Sequence, residues 1–247
     1  MTGANFLLET DTTKLLVDCG SREGIDARNA PQPFPYDPKE IGTLLVTHAH
    51  QDHIGRIPEL VRAGFRGAIW STAATRDLAA IMFDDAFGIM EREAAHTRLP
   101  LAYERADIAQ ALMLWRTHEY HESFALGDVH VEMLDAGHIL GSAMFKVSRN
   151  GRAILFTGDI GNAPEPLLND PERPTGVQYL VMESVYGDRL HEGRSDRTAR
   201  LGALIEETRA RNGTLLIPSF SLERTQVLLA EMNDMVERGE MRPRLGP

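Results

Sequence analysis

The chain has 247 residues, 43% of them hydrophobic and 25% charged, and a formal net charge of -10 at pH 7. This length suffices for one large domain or for one domain and part of a second, and the acidic balance leaves only local basic patches to attract nucleic acid. No apolar run reaches the roughly 18 residues of a membrane span, no signal peptide is recognisable, and Cys19 is the single cysteine, so we expect a cytoplasmic protein that does not enter a membrane.

Short strands are predicted for the N-terminal part of the chain. Residues 5–9 and 14–18 read as a hairpin, because two short apolar runs flank a turn sequence. A loop at residues 20–40 then precedes a strand at residues 43–47. Asp18 therefore lies at the end of a strand.

A cluster of potential metal ligands follows the third strand, in residues 47–53, whose sequence is THAHQDH. Histidines two positions apart on an extended backbone point to the same side, so we expect His48 and His50 to bind one ion. Asp52 and His53 project from the turn that follows, where they can serve a neighbouring ion. The alternative is a polar loop that is merely rich in histidine.

The middle of the chain is predicted to be mostly helical. A helix starts near residue 53 and runs to residue 63, and a short strand occupies residues 67–71. Apolar residues then recur at helical spacing in residues 75–95, and residues 105–115 form a further helix candidate.

A second group of strands is predicted later in the chain, and polar residues follow three of them. Strand ends on a rigid scaffold commonly present functional groups, so His138, Asp159 and Glu183 are candidates to join the first cluster. The four strands are residues 129–134, 144–147, 153–156 and 179–182.

The C-terminal part is predicted to alternate helix and strand. An amphipathic helix begins at Arg197, a strand covers residues 214–217, and a last helix passes through residues 228–236. A group of arginines near the first of these helices is either a solvated helix face or a basic patch. Its members are Arg189, Arg194, Arg197 and Arg200.

Together the strand-end residues supply ligands for two metal ions. Imidazole nitrogens with a minority of carboxylates favour Zn²⁺ over Mg²⁺ and Ca²⁺, and a pair of zinc ions that activates water implies a hydrolase. Asp18 is the candidate to accept the ring N–H of a ligand histidine and fix its tautomer. The second site lacks one ligand of the usual set, and Asp159 is placed to bridge both ions. The first site comprises His48, His50 and His138, and the second comprises Asp52, His53 and Asp159.

Three of these segments resemble the successive motifs of the metallo-β-lactamase superfamily: HAHQDH at residues 48–53, AGH at 136–138 and TGD at 157–159. Two longer runs resemble the β-CASP branch of that superfamily, which contains RNA-processing nucleases. They are AGHILGSA at residues 136–143 and ESVYGDR at residues 183–189.

The resemblance implies an α/β fold with two domains. Residues 1–185 would form most of an αββα metallo-β-lactamase sandwich, and residues 186–247 would form the first part of an inserted α/β β-CASP domain, since PSFSLERTQ at residues 218–226 is similar to that insert. In this branch Glu183 corresponds to an acidic residue that supports proton delivery to the leaving oxygen.

The resemblance also implies a chain that is cut at both ends. Family members have a strand before the segment that resembles residues 1–6, and two histidines after the inserted domain, whereas no histidine follows His191 here. The replacement of the missing zinc ligand by His118, His121 or His191 is the alternative.

The function that the resemblance implies is zinc-dependent cleavage of RNA phosphodiester bonds, by endonuclease or exonuclease action or both. Asp52, Glu183 and Asp18 are the candidate catalytic residues, and Arg189 and Arg224 are the candidate RNA contacts. We expect single-stranded RNA as the partner and a homodimer as a further association. The alternatives are a small-molecule metallo-hydrolase that acts on a thioester or lactam, and a non-catalytic scaffold homologue.

Overall fold

The computed structural model describes residues 3–21, 33–189 and 197–241. The chain divides into two compact units, Met1–Glu183 and Ser184–Pro247. Two residues that the sequence singled out, His191 and Arg194, lie outside the described residues.

The described residues of the first unit form two five-stranded sheets, which confirms the predicted α/β class. The strands of the first sheet, in spatial order, are β1 (Phe6–Glu9), β2 (Lys14–Val17), β3 (Thr43–Leu45), β4 (Ala68–Ser71) and β5 (Trp115–Thr117). In this sheet β1 and β2 form the expected antiparallel hairpin, and β2 to β5 are parallel.

The strands of the second sheet, in spatial order, are β10 (Tyr179–Val181), β9 (Arg152–Phe156), β8 (Ala143–Arg149), β7 (Val129–Asp135) and β6 (Ser123–Leu126). This sheet is antiparallel except at one edge, where β10 runs parallel to β9.

The sequence reading missed β5 and β6. It assigned Trp115 to the end of a helix, whereas the residue begins β5, and its indole N–H donates to the Ser71 hydroxyl at 2.8 Å. Both strands are at most four residues long. Their pairing with β4 and β7 decides their conformation, since so short a segment carries little periodicity of its own.

The helices of the first unit include two that contact the first sheet. The single helix predicted from residue 53 to residue 63 is two helices instead, because Pro58 lacks a backbone N–H and is accommodated only in the first turn of the second one. The helices are α1 (Gln51–Ile54), α2 (Ile57–Arg62), α3 (Ala73–Thr97) and α4 (Arg105–Leu114). Thr72 caps α3 by accepting from the Thr75 backbone N–H.

The two sheets share one hydrophobic core. Leu15, Val17 and Leu45 of the first sheet pack with the inward side chains of the second, among which Phe145 is fully buried. The sheets thus form a sandwich in which β2, β3, β7 and β9 all end at the same edge, where their following loops meet.

The described residues of the second unit form two helices, α5 (Arg197–Ala210) and α6 (Arg224–Glu237). Leu201 of α5 and Val227 and Met235 of α6 are buried. The predicted strand at residues 214–217 is wrong, because no strand occurs in the described part of this unit to pair with it. Leu216 is accordingly 85% exposed.

Candidate metal centre

Three histidines converge at the sheet edge. His48 and His50 follow β3 and His138 follows β7, as the sequence predicted. His50 Nδ1 lies 3.1 Å from His48 Nε2 and 3.2 Å from His138 Nε2. Neighbouring nitrogens on a tetrahedral zinc ion lie about 3.3 Å apart when each zinc–nitrogen distance is about 2.0–2.1 Å. The spacing therefore fits three ligands of one such ion.

Asp159, in the loop after β9, completes this group. Its Oδ2 lies 3.8 Å from His48 Nε2 and 3.5 Å from His138 Nε2. One ligand atom from each of the three histidines and from Asp159 falls within 4.8 Å of the others. The cluster could hold a metal ion.

The second predicted site lies beside the first and shares Asp159 with it. His53 Nε2 is 3.3 Å from Asp159 Oδ1 and 3.9 Å from Asp52 Oδ2. The two oxygens of Asp159 thus face different histidines, which is the arrangement that a bridging carboxylate requires. The assignment of these residues to a second ion stays a prediction.

Asp18 lies behind the ligands and is fully buried. It adopts a left-handed backbone conformation with φ of 60°, which aspartate tolerates better than most residues. Its Oδ1 accepts from the Thr47 backbone N–H at 2.8 Å, and its Oδ2 lies 2.8 Å from His53 Nδ1. Asp18 thus contacts the ring nitrogen of His53 that faces away from Asp159.

The ionisation of the histidines divides them into two kinds. Burial, together with the neighbouring histidines, lowers the pKa of His48 well below its usual range, and burial also lowers the pKa of His50. Burial acts in the same direction on His53, but the charges of Asp18 and Asp159 and the hydrogen bonds to them outweigh it and raise the pKa of His53 to about 10. Burial disfavours the charged form of Asp159, yet the hydrogen bond from His53 holds the pKa of that carboxyl below its usual range. His48 and His50 are therefore neutral and have a nitrogen lone pair to offer to a metal.

Side chains outside the ligand set hold the His138 loop. Ser142 Oγ accepts from the backbone N–H of His138 at 2.9 Å and from that of Ile139 at 3.3 Å. The hydroxyls of Thr72 and Thr75 both donate to the Gly141 carbonyl, at 2.7 and 2.8 Å. The start of α3 thus anchors the loop that carries His138.

A close backbone approach fixes the turn that carries Asp52 and His53. A Cβ atom on Gly20 would lie 1.5 Å from the Asp52 carbonyl oxygen, so only glycine fits there. The Ala4 N–H donates to the same carbonyl at 2.7 Å, and the Cys19 N–H donates to the His53 carbonyl at 2.8 Å.

Glu183 is the last residue of the first unit, just beyond β10. Its Oε1 accepts from the Ile160 backbone N–H at 2.9 Å, immediately after Asp159 in the chain. The structure therefore places Glu183 against the Asp159 loop. Its role in proton delivery stays a prediction.

The candidate RNA contacts belong to the second unit. Arg189 and Arg224 are exposed, and the Arg189 guanidinium lies 5.3 Å from the centre of the Tyr186 ring. Arg197, by contrast, donates from Nε to Glu231 at 2.9 Å. Arg197 forms an ion pair with this buried carboxylate and therefore stabilises its own unit. We accordingly remove Arg197 from the predicted basic patch.

Neither described alternative histidine joins the cluster. The ring of His118 stacks on Phe124 with the centroids 4.5 Å apart, and His121 Nε2 lies 3.5 Å from Glu172.

The sequence reading assigned no role to the threonine and serine side chains that support the ligands. Thr47, Thr72 and Ser142 each contact a polar atom of a segment that carries a candidate ligand. Two features of the sequence could have indicated this role: Thr47 directly precedes His48, and Ser142 lies in the run AGHILGSA. Hydroxyl residues are common in loops, however, so neither feature is specific.

A family model described as the metallo-beta-lactamase superfamily matches residues 2–193. This chain belongs to that superfamily. This chain is 35% identical to a ribonuclease of Thermus thermophilus over 229 residues, which are 93% of this chain and 51% of the relative. It is 32% identical over 235 residues to cleavage and polyadenylation specificity factor 73 of Drosophila melanogaster, covering 93% of this chain and 33% of that protein. A transcription termination factor of Methanosarcina mazei is 29% identical over 246 residues, covering 95% of this chain and 38% of that protein.

This chain spans about half the length of the first of these relatives and about a third of the second.

Among the described residues of this chain, no helix combines the length and hydrophobicity of a membrane span.

Proposed function

We propose that this chain carries the metal centre of a zinc-dependent hydrolase that cleaves phosphodiester bonds in RNA. The observation that carries the proposal is the convergence of His48, His50 and His138, whose facing nitrogens are 3.1 and 3.2 Å apart. Three imidazole ligands with a carboxylate are the donor set of zinc rather than of magnesium or calcium. The names of the relatives support RNA as the substrate.

In this proposal different residues bind the two ions and orient the ligands. His48, His50 and His138 would hold the first ion, Asp52 and His53 the second, with Asp159 between them. The zinc ions, when bound, lower the pKa of water and stabilise charge on phosphate oxygens. The lower pKa values of His48 and His50 keep their rings ready to bind without loss of a proton. Asp18 holds His53 in orientation through its ring nitrogen.

The experiment measures cleavage of end-labelled single-stranded RNA by the zinc-loaded chain. We expect products that disappear with a chelator and in His50→Ala, whereas His130→Ala, which removes an exposed histidine from β7, leaves the activity unchanged. Labels at the 5′ and 3′ ends distinguish endonuclease from exonuclease action.

Two other outcomes would replace the proposal. Hydrolysis of a thioester or lactam without RNA cleavage would favour a small-molecule hydrolase. Zinc binding without any hydrolysis would favour a scaffold.

The proposed homodimer and the proposed cytoplasmic location are independent of this activity. Sedimentation of the purified chain tests the first, and cell fractionation tests the second.

A further inference from the structure

The Thr47 side chain occupies a central position behind the ligands. It is 1% exposed, and its Oγ1 lies 2.8 Å from Asp18 Oδ2 and 3.1 Å from Asp18 Oδ1. The same oxygen lies 3.1 Å from His48 Nδ1 and 3.3 Å from His53 Nδ1. One hydroxyl group thus contacts a carboxylate and two candidate ligands.

Counting protons assigns the direction of each hydrogen bond. A hydroxyl has one proton to donate and two lone pairs that accept, whereas an ionised carboxylate only accepts. The Thr47 proton must therefore point to Asp18. His53 Nδ1 is closer to Asp18 Oδ2, at 2.8 Å, and donates there. The contact between Thr47 Oγ1 and His48 Nδ1 is then a hydrogen bond only if His48 Nδ1 is the donor.

We propose that Thr47 is a positioning residue. Its hydroxyl group links Asp18 to His48 through two hydrogen bonds, a relay that holds the ring proton of His48 on Nδ1. This inference rests on the proposed metal centre. A neutral imidazole has one ring proton, so the relay leaves the lone pair of His48 on Nε2, the nitrogen that faces His50 Nδ1 at 3.1 Å. Asp18 thereby holds a ring proton on Nδ1 of two candidate ligands, His53 directly and His48 through the hydroxyl group.

A purely structural role for the Thr47 side chain is separable from this relay. The Thr47 backbone N–H, which donates to Asp18 Oδ1, already ties the end of the strand to Asp18 and persists in every variant. Thr47→Val keeps the branched shape and removes the hydroxyl group, whereas Thr47→Ser keeps the hydroxyl group. The two variants form a matched pair.

The first measurement is the ring tautomer by long-range proton–nitrogen NMR on the ¹⁵N-histidine-labelled, metal-free chain. We expect His48 to carry its proton on Nδ1 in the wild type and in Thr47→Ser, and to shift to the Nε2–H form in Thr47→Val. His53 keeps its bond to Asp18 and serves as the internal control. A wild-type His48 protonated on Nε2 would overturn the relay without any variant.

The second measurement is zinc affinity, from a competition titration with a chromophoric chelator. We expect Thr47→Val to weaken binding of the first ion by about 10-fold to 100-fold, as loss of a group that orients a ligand does, and Thr47→Ser to restore it. Unchanged affinity and tautomer in Thr47→Val would refute the relay. Failure to cleave RNA, with the tautomers as expected, would count against the proposed function alone.

Discussion

Replacement of Asp18 by asparagine should impair one half of the candidate centre and spare the other. The amide oxygen must face the Thr47 backbone N–H, which Asp18 Oδ1 now binds at 2.8 Å, and it can also accept the Thr47 hydroxyl, which lies 3.1 Å from that atom. The amide NH₂ group then faces His53 Nδ1, where Asp18 Oδ2 accepts at 2.8 Å. A donor thus replaces the acceptor for His53, and the Thr47 hydroxyl, which now lies 2.8 Å from Asp18 Oδ2, must turn to the amide oxygen.

His53, whose pKa of about 10 beside Asp18 places a proton on both ring nitrogens, can respond by releasing the proton on Nδ1. With the lone pair on Nδ1 facing the amide, the ring proton lies on Nε2, which is 3.3 Å from Asp159 Oδ1. That nitrogen is the one that would bind the proposed second ion. We therefore expect Asp18→Asn to weaken binding of the second zinc by about 10-fold to 100-fold, while the first changes by less than about 3-fold.

The cost in stability follows from the same count. The hydrogen bond from His53 to a charged group is lost, while the Thr47 hydroxyl keeps an acceptor in the amide oxygen, so the free energy of unfolding of the metal-free chain should fall by about 1.5–3 kcal/mol. Urea denaturation measures this change, and a zinc competition titration measures the two affinities.

Asp128→Asn is the matched control. Asp128 also accepts from two hydroxyl groups, those of Thr10 and Thr13 at 2.8 and 2.7 Å, but it lies in the turn before β7, at the other end of that strand from His138. Its replacement should leave both zinc affinities unchanged. Equal weakening of both ions in Asp18→Asn, or no change in the second, would refute the reasoning.

Three further predictions concern other parts of the site. Gly20→Ala places a Cβ atom 1.5 Å from the Asp52 carbonyl oxygen and should destabilise the fold by at least about 3 kcal/mol, measured by urea denaturation; a stable variant would contradict the close approach. Glu183→Ala should weaken zinc binding about 10-fold because the Ile160 N–H loses its acceptor, whereas Glu183→Gln, which still accepts, should not; a competition titration compares them. Cys19 should resist thiol reagents at pH 8 until the chain unfolds, because burial raises the pKa of its thiol to about 12; rapid labelling of the folded chain would contradict this.

The sequence by itself determined the α/β class and the identity of the candidate ligands. The strands that end before His48, His138 and Asp159 are short apolar runs bounded by polar residues, and such a local pattern can be read without knowledge of the fold. The same local pattern wrongly predicted a strand at residues 214–217, where no partner strand is described. It also missed β5, which is a strand because it pairs with β4.

Only the tertiary structure decided which atoms face one another. The nitrogens of His50 and His138, 88 positions apart, approach to 3.2 Å because the sheets that carry them pack face to face. The structure likewise selects His53 as the partner of Asp18 and places the Thr47 hydroxyl between Asp18 and His48, with Asp18 in a left-handed backbone conformation. Spacing along a chain selects the types of ligand, but hydrogen-bond direction depends on distances of a few tenths of an ångström, which packing alone fixes.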